Sequence, residues 1–260
     1  MTQPNKKKSI SEIKELLKTI TDEKDERLAL IAQDERLGVQ KALVSWKKAR
    51  QKIKEAEEER DRMLVYEKAL WEREFHYVAG IDEVGRGPLA GPVVTASVVL
   101  PPDVSLVGIR DSKKLSVSKR EKLYEEIMDA AVSVGIGVVD AAQIDELNIL
   151  QATKAAMKKS IEQLTVQPDY LLVDALELPL PIPQTSIIKG DATSLSIAAA
   201  SIIAKVTRDR MMTEYDELYP GYGFSKNAGY GTQEHLNGLK NQGPSPIHRY
   251  SFSPVTQYKK

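Results

Sequence analysis

The chain has 260 residues, of which 42% are hydrophobic and 28% charged, with 37 Lys and Arg against 37 Asp and Glu. This composition is typical of a globular protein, and because the charges balance, any polyanion binding would need a local cationic patch. The absence of Cys excludes disulfides, thiolate zinc sites and a thiol nucleophile. No apolar run reaches the ~20 residues of a membrane span, so we expect a cytoplasmic protein with no membrane partner.

Residues 1–74 predict an all-helical N-terminal extension. They are densely charged and contain a single Gly and a single Pro. Ser9 followed by Glu12 is the pattern of a capping box, and apolar residues recur after it at helical spacing. A second short helix is predicted near residues 28–31, and one long charged helix from about residue 38 to residue 74. Its charge on nearly every side is typical of a solvent-exposed or coiled-coil-like arm, and the alternative is that its basic residues reach a polyanion.

Residues 75–260 predict an α/β domain that includes a C-terminal helical and wrapping segment. Strands are predicted over 77–84, 93–100, 132–139, 170–174 and 185–189, the first two as an antiparallel hairpin. Helices are predicted over 118–131, with Ser118 as the N-cap, and over 148–164, 192–218 and 232–241. These segments indicate a mixed five-stranded sheet flanked by helices.

Four acidic residues fall where a predicted strand ends or a helix begins: Asp82, Glu83, Asp174 and Asp191. Carboxylates drawn together repel one another unless divalent cations neutralise them, and all-oxygen ligands suit Mg²⁺ or Mn²⁺. Two such ions about 3.5–4 Å apart are a common arrangement for phosphodiester hydrolysis. Since successive strand residues point to opposite faces, Asp82 and Glu83 predict that the strand ends or bends at Glu83.

Each of these acids also has an ordinary structural interpretation. An Asp at a helix start is more often an N-cap than a ligand, which applies to Asp191. Asp140, Asp145 and Glu146 have similar local settings, and we interpret them as caps and surface acids. The three His residues are far apart in the sequence, so a His-based zinc cluster is not expected.

Several motifs in a fixed order resemble the ribonuclease HII family: AGIDEVGRGPLAGPVV, DSKKLS, YLLVDAL, KGD-x-x-S-x-x-IAAASI-x-AKV-x-RD and GYGT-x-x-H. The resemblance covers residues 78–252 and implies a ribonuclease H-like fold. It implies an endonuclease that cuts the RNA strand of RNA–DNA hybrids, or duplex DNA on the 5′ side of an embedded ribonucleotide, leaving 3′-hydroxyl and 5′-phosphate ends. The family's catalytic acids, which hold two Mn²⁺ or Mg²⁺ ions, fall on Asp82, Glu83, Asp174 and Asp191.

The resemblance also implies two substrate-reading elements. Gly85, Arg86 and Gly87 correspond to the family's ribose-reading turn, whose backbone groups can test for a 2′-hydroxyl. Tyr230 matches the family's tyrosine at the RNA-to-DNA junction, where an aromatic ring under a sugar can exclude a 2′-hydroxyl. Tyr222 is the competing candidate for that role.

Phosphate contacts are expected from one set of residues in DSKKLS and one on the long helix: Ser112, Lys113 and Lys114, and Ser201, Lys205 and Arg208. The helix set has spacings of four and three, which places it on one side of the helix. Many relatives have His-Lys before the Gly-Tyr of the last motif, where this chain has residues 227–228, Asn-Ala. No residue is therefore assigned to product release.

Two other functions remain open: a hybrid-binding protein that has lost catalysis, and another nuclease of the same fold, such as a junction resolvase. The presence of all four acids argues against the first. The extension lies outside the family's common core, and we expect it to add affinity for the duplex rather than catalysis. The sequence carries no oligomer signal, and a monomer is expected.

Overall fold

Two units make up the chain in the computed structural model, which describes residues 8–109 and 115–259. They divide between Glu59 and Arg60. Residues 60–74 therefore group with the second unit, and the predicted division into extension and catalytic domain after residue 74 stays a prediction.

The N-terminal unit consists of α1 (Ile10–Thr19), α2 (Glu26–Ala32) and most of α3 (Leu37–Met63). The predicted capping box is confirmed: Ser9 Oγ accepts from the Glu12 N–H at 3.2 Å, and the Glu12 carboxylate accepts from the Ser9 N–H at 2.6 Å. The unit has its own small apolar core, formed by Ile13, Leu17, Ile20, Leu28, Ile31, Val39 and Leu43.

The long helix predicted to reach residue 74 is in fact two helices. α3 ends at Met63, and α4 (Val65–Trp71) follows after Leu64, whose φ of −89° and ψ of 8° depart from helical values. Met63 and Leu64 are both buried in the apolar core of the second unit. The charge pattern did not predict this break because the break depends on burial against distant residues.

The sheet of the second unit is five-stranded and mixed, as predicted, with the order β3-β2-β1-β4-β5. Its strands are β1 (Val78–Val84), β2 (Val93–Val99), β3 (Ser133–Val139), β4 (Tyr170–Asp174) and β5 (Gln184–Ile187). The pairs β1–β2 and β2–β3 are antiparallel, whereas β1–β4 and β4–β5 are parallel. The two parallel pairs bring the C-terminal ends of β1 and β4 to the same edge.

The helices that follow β2 are α5 (Val117–Ala130), α6 (Ala141–Leu147), α7 (Ile149–Glu162), α8 (Leu195–Leu218), α9 (Phe224–Asn227) and α10 (Gln233–Gln242). Of these, α7 and α8 pack directly against the sheet. The predicted N-cap Ser118 is wrong, because Ser116 Oγ accepts from the Lys119 N–H at 3.3 Å and α5 begins at Val117. α6 was not predicted. Its N-cap is Asp140, which confirms the interpretation of that residue as a helix cap.

α8 approaches the sheet very closely at Gly80 of β1. A Cβ at this position would lie 2.2 Å from the backbone carbon of Ser196, so any larger residue would push the helix away. Ala198, Ala199 and Ala200 are fully buried along the same helix. The start of α8 is therefore fixed directly beside the strand that carries Asp82.

No helix in the described ranges combines the length and the apolar character needed to cross a bilayer. The cytoplasmic location and the monomeric state stay predictions.

Candidate active site

β1 and β4 bring Asp82 and Asp174 together at one edge of the sheet. Their parallel register pairs Ile81 with Val173, so the two acids that follow lie side by side. Strand alternation places both side chains on the face that α8 covers. Asp82 is 6% exposed, and Asp174 is half-buried. The two acids converge as the sequence predicted.

Asp191 is held next to Asp174 by a backbone contact. It lies in the short 3₁₀ turn Gly190–Ala192, and the Gly190 N–H donates to Asp174 Oδ1 at 2.7 Å. The N-cap of α8 is Ser194, whose hydroxyl accepts from the Ile197 N–H. The capping interpretation of Asp191 is therefore wrong.

The carboxyl group of Asp82 is in an environment that disfavours its negative charge. Burial is the main cause that raises its pKa well above the ordinary value, and the charges of Glu83 and Asp174 act in the same direction. Hydrogen bonds from Ser201 and from the Glu83 N–H, the latter at 2.7 Å, partly oppose the rise. A cation at this edge would remove that repulsion.

The four predicted acids suit a divalent ion, since each of them offers carboxylate oxygens as ligands. Within residues 8–109 and 115–259, no three His, Asp or Glu side chains form a ready-made metal cluster. The fit therefore depends on the shared strand edge and on the charge environment of Asp82. Metal binding by the four acids stays a prediction.

The bend expected at Glu83 lies two residues later. β1 stays paired with β2 through Glu83 and Val84, so the strand neither ends nor bends at Glu83. The Glu83 charge nevertheless acts on the Asp82 carboxyl group, so the two acids share one electrostatic environment. The chain turns at Gly85, whose φ is 92°. The Glu83 carboxylate pairs with the Arg86 guanidinium at 3.3 Å, which ties the second acid to the turn.

The predicted ribose-reading turn lies beside Tyr230. A Cβ built on Gly87 would be 3.5 Å from Tyr230 Cε1, and the Tyr230 side chain is 50% exposed. Tyr222, in contrast, is buried and donates its hydroxyl to the Gly243 carbonyl at 2.6 Å. Of the two tyrosines, only Tyr230 is both accessible and next to the turn.

The predicted phosphate contacts have different surroundings from one another. Ser201 bonds to Asp82, and Lys205 donates to Asp209 Oδ1 at 2.7 Å. Their predicted contacts with substrate stay predictions. Those of Ser112, Lys113 and Lys114 lie outside the described residues.

The predicted phosphate contact of Arg208 is wrong. Its side chain is fully buried, and its guanidinium donates to three backbone carbonyls, those of Ala90, Pro92 and Ala228. Helical spacing predicted that Arg208 lies on the same side of α8 as Ser201 and Lys205. Spacing alone does not distinguish an arginine that faces solvent from one covered by two loops.

His235 and His248, 13 residues apart in sequence, form a chain of hydrogen bonds that ends at the Tyr230 carbonyl. The Ser245 N–H donates to His248 Nδ1 at 2.9 Å, which makes that nitrogen an acceptor. His248 Nε2 then donates to His235 Nε2 at 2.9 Å, and His235 Nδ1 donates to the Tyr230 carbonyl at 2.9 Å. This order of donors and acceptors requires both rings to be neutral.

We expect the burial of neutral His248 to contribute a decrease in the free energy of unfolding as the pH falls from about 6.5 to about 4, opposite in sign to the contribution of Asp82, whose pKa is raised. Burial, with the nearby His235, lowers the pKa of His248 to about 4, against about 6.5 in an unfolded chain. Between these values the unfolded state binds more protons, so stability is lost as pH falls. The loss from His248 is at most about 3 kcal/mol.

Urea unfolding at pH 7, 5.5 and 4.5 measures this dependence. The His248→Gln variant should be less stable at pH 7 but less sensitive to acid. His76→Gln, which changes an exposed histidine, is the control and should keep the parental pH dependence. Equal acid sensitivity in all three proteins would contradict the assignment of neutral rings.

Comparisons with known proteins agree with the motifs. The family model described as Ribonuclease HII matches residues 79–255, and one described as Ribonuclease HII N-terminal domain matches residues 9–71. The chain is 59% identical over 250 residues to the Ribonuclease HII of Enterococcus faecalis, which covers 96% of this chain and 98% of that one.

Solved structures with the same fold include the ribonuclease H2 from Pyrococcus horikoshii OT3. It has a TM-score of 0.59 and 27% identity, over 69% of this chain and 95% of that one. Bst-RNase HIII in complex with Mn²⁺ has a TM-score of 0.53 and 20% identity, over 70% of this chain and 68% of that one, and supports the fold alone. The ribonuclease H-like fold is confirmed, and the chain belongs to the ribonuclease HII family of endonucleases, which hydrolyse the RNA strand of RNA–DNA hybrids.

Proposed function

We propose that this nuclease also nicks duplex DNA on the 5′ side of an embedded ribonucleotide, leaving 3′-hydroxyl and 5′-phosphate ends. One observation carries the proposal: β1 leads from Asp82 directly into the 85–87 turn, and that turn lies against Tyr230. The predicted cutting residue, the predicted ribose-reading turn and Tyr230 are thus neighbours in the fold. Such a site can recognise one ribonucleotide without a long hybrid.

We propose that Asp82, Glu83, Asp174 and Asp191 hold two divalent ions, Mg²⁺ or Mn²⁺. Bound there, the ions would supply an activated water and stabilise the leaving 3′-oxygen. The chain's own hydrogen bonds orient the carboxylates: the Glu83 N–H holds Asp82, and the Gly190 N–H holds Asp174. Ligands fixed in this way need little rearrangement to accept a cation.

Tyr230 is proposed to mark the nucleotide that follows the ribonucleotide. The half-exposed ring of Tyr230 lies next to Gly87. The residue before Tyr230 is bonded to the same loop, because the Leu89 N–H donates to the Gly229 carbonyl at 2.9 Å. A ring packed under a deoxyribose leaves no room for a 2′-hydroxyl. The turn would therefore require the hydroxyl on one sugar while Tyr230 excludes it from the next.

The N-terminal unit is proposed to add affinity for the nucleic acid backbone. Within that unit, a groove of about 660 Å³ is lined by apolar side chains and Trp46 together with four cationic side chains, Lys14, Lys18, Lys41 and Arg50. Lys18 also pairs with Glu15 at 2.8 Å. Cations grouped on one surface attract phosphates even when the whole chain is neutral. Truncation tests of this idea should stop at residue 59, since Met63 and Leu64 belong to the core of the second unit.

A labelled DNA duplex with a single ribonucleotide tests the proposed function. With Mg²⁺ or Mn²⁺ we expect one nick on the 5′ side of the ribonucleotide and a 3′-hydroxyl end by end mapping. An all-DNA duplex of the same sequence should remain intact, and excess EDTA should abolish cutting because the ligands then lack their ions.

The other candidate functions predict different results from the same assay. Binding without a nick would indicate a hybrid-binding protein that lacks catalysis. Equal cutting of an all-DNA branched substrate would indicate a junction resolvase and would exclude recognition of the ribose.

A further inference from the structure

The fully buried side chain of Arg249 forms hydrogen bonds with both ends of the 85–91 loop. The Arg249 guanidinium donates to the carbonyls of Gly85 at 2.6 Å and Arg86 at 3.0 Å. It also donates twice to the Gly91 carbonyl, at 2.8 and 2.9 Å. The planar guanidinium of Arg249 therefore joins the start of this loop to its end. Arg249 itself is 158 residues from Gly91 in sequence.

The segment that carries Arg249 is itself fixed on both sides. The Arg249 N–H donates to the Leu89 carbonyl at 2.9 Å. The Asp145 carboxylate accepts from the N–H groups of Tyr250 at 2.8 Å and Ser251 at 2.9 Å. Asp145, interpreted from sequence as a cap or surface acid, is thus an anchor for this segment.

The charge of Arg249 is unfavourable in itself. Burial lowers the pKa of Arg249 to about 9, and nearby Arg208 acts in the same direction, whereas Asp145 opposes the shift. The group stays protonated at neutral pH. A buried cation is costly to a fold unless its hydrogen bonds compensate, and here they all go to one loop.

We propose that Arg249 is a positioning residue for ribose recognition, an inference that rests on the proposed function of the 85–87 turn. In a trans peptide the C=O and the following N–H point in opposite directions. Because the Gly85 and Arg86 carbonyls face Arg249, the N–H groups of Arg86 and Gly87 face the other way. Both residues are exposed, so these two donors are presented to an oxygen of the substrate's ribose or its adjacent phosphate.

An Arg249→Lys substitution in an Asp174→Asn background tests the proposal. Lysine keeps the charge but lacks the planar fork that spans three carbonyls. With Mg²⁺ present, the affinities for a single-ribonucleotide duplex and for the all-DNA duplex of the same sequence are measured. The preference for the ribonucleotide should fall by about tenfold, the factor expected for the loss of one hydrogen bond to the ribose, with little change for DNA. Arg210→Lys, at an exposed arginine of α8, should leave the preference unchanged.

A purely structural role for Arg249 would weaken binding to both duplexes equally, so an unchanged preference would overturn the proposal. If Asp174→Asn alone shows no preference, the proposed ribose recognition fails before Arg249 is tested. Should Arg249→Lys not fold, Asp145→Asn replaces it, because it loosens the same segment while the guanidinium stays. That variant should reduce the preference by a smaller factor, and the parental preference would again overturn the proposal.

Discussion

Asp174→Asn is expected to lower kcat on an RNA–DNA hybrid by about a thousandfold, with little change in affinity for the duplex. Asn has nearly the same shape, and its Oδ1 can still accept the hydrogen bond that the Gly190 N–H donates at 2.7 Å. The turn that carries Asp191 should therefore stay in place. What is lost is one negative charge beside Asp82, and with it one of the proposed metal ligands. Single-turnover cleavage and a binding titration on the same labelled hybrid measure the two effects.

Asp140→Asn is the matched control for this substitution. Asp140 also follows a strand and precedes a helix, but it caps α6 by accepting from the Gln143 N–H at 2.8 Å. Because Asn caps a helix about as well as Asp, this variant should cut at the normal rate. If Asp174→Asn cut as fast as Asp140→Asn, the proposed ligand set would be wrong.

The sequence was sufficient to place Asp82 and Asp174 near the ends of strands, because each follows an apolar run, whereas the choice of the four acids as ligands rests on the family resemblance and stays a prediction. An apolar run that ends in an acid locates a strand end, and β4 has the predicted bounds, Tyr170–Asp174. The parallel pairing of β1 with β4, which only the structure shows, then brings Asp82 beside Asp174. Tyr230 was chosen by its match to the family motif, and its role at the RNA-to-DNA junction stays a prediction.

The residues that support this site could not be predicted, because their roles depend on contacts between distant segments. Arg208 and Arg249 resemble surface arginines in sequence, yet both are fully buried behind the loops that contain Gly85, Ala90 and Ala228. The charge pattern of residues 38–74 is typical of a solvent-exposed helix. Only the folded structure shows that one acid in that run, Glu67, is fully buried.

Glu67→Ala is expected to lower the free energy of unfolding by about 3 kcal/mol, the cost of leaving buried donors without their acceptor. Glu67 Oε1 accepts from the hydroxyl of Ser194 at 2.6 Å, and from the N–H and hydroxyl of Ser196 at 3.0 and 2.6 Å. These donors lie at the N-terminus of α8, where the helix dipole favours a negative group. Urea unfolding followed by tryptophan fluorescence measures the change.

The same substitution should also lower kcat, because Glu67 holds the residues that follow Asp191. The Ser194 N–H donates to the Gly190 carbonyl at 2.8 Å, so Ser194 connects Glu67 to the turn that contains Asp191. Glu67→Gln keeps an oxygen acceptor and should lose less stability and less activity than Glu67→Ala. Glu72→Ala removes an exposed acid just after α4 and should change neither. If Glu67→Ala were as stable and as active as Glu72→Ala, the contact would contribute nothing to the placement of Asp191.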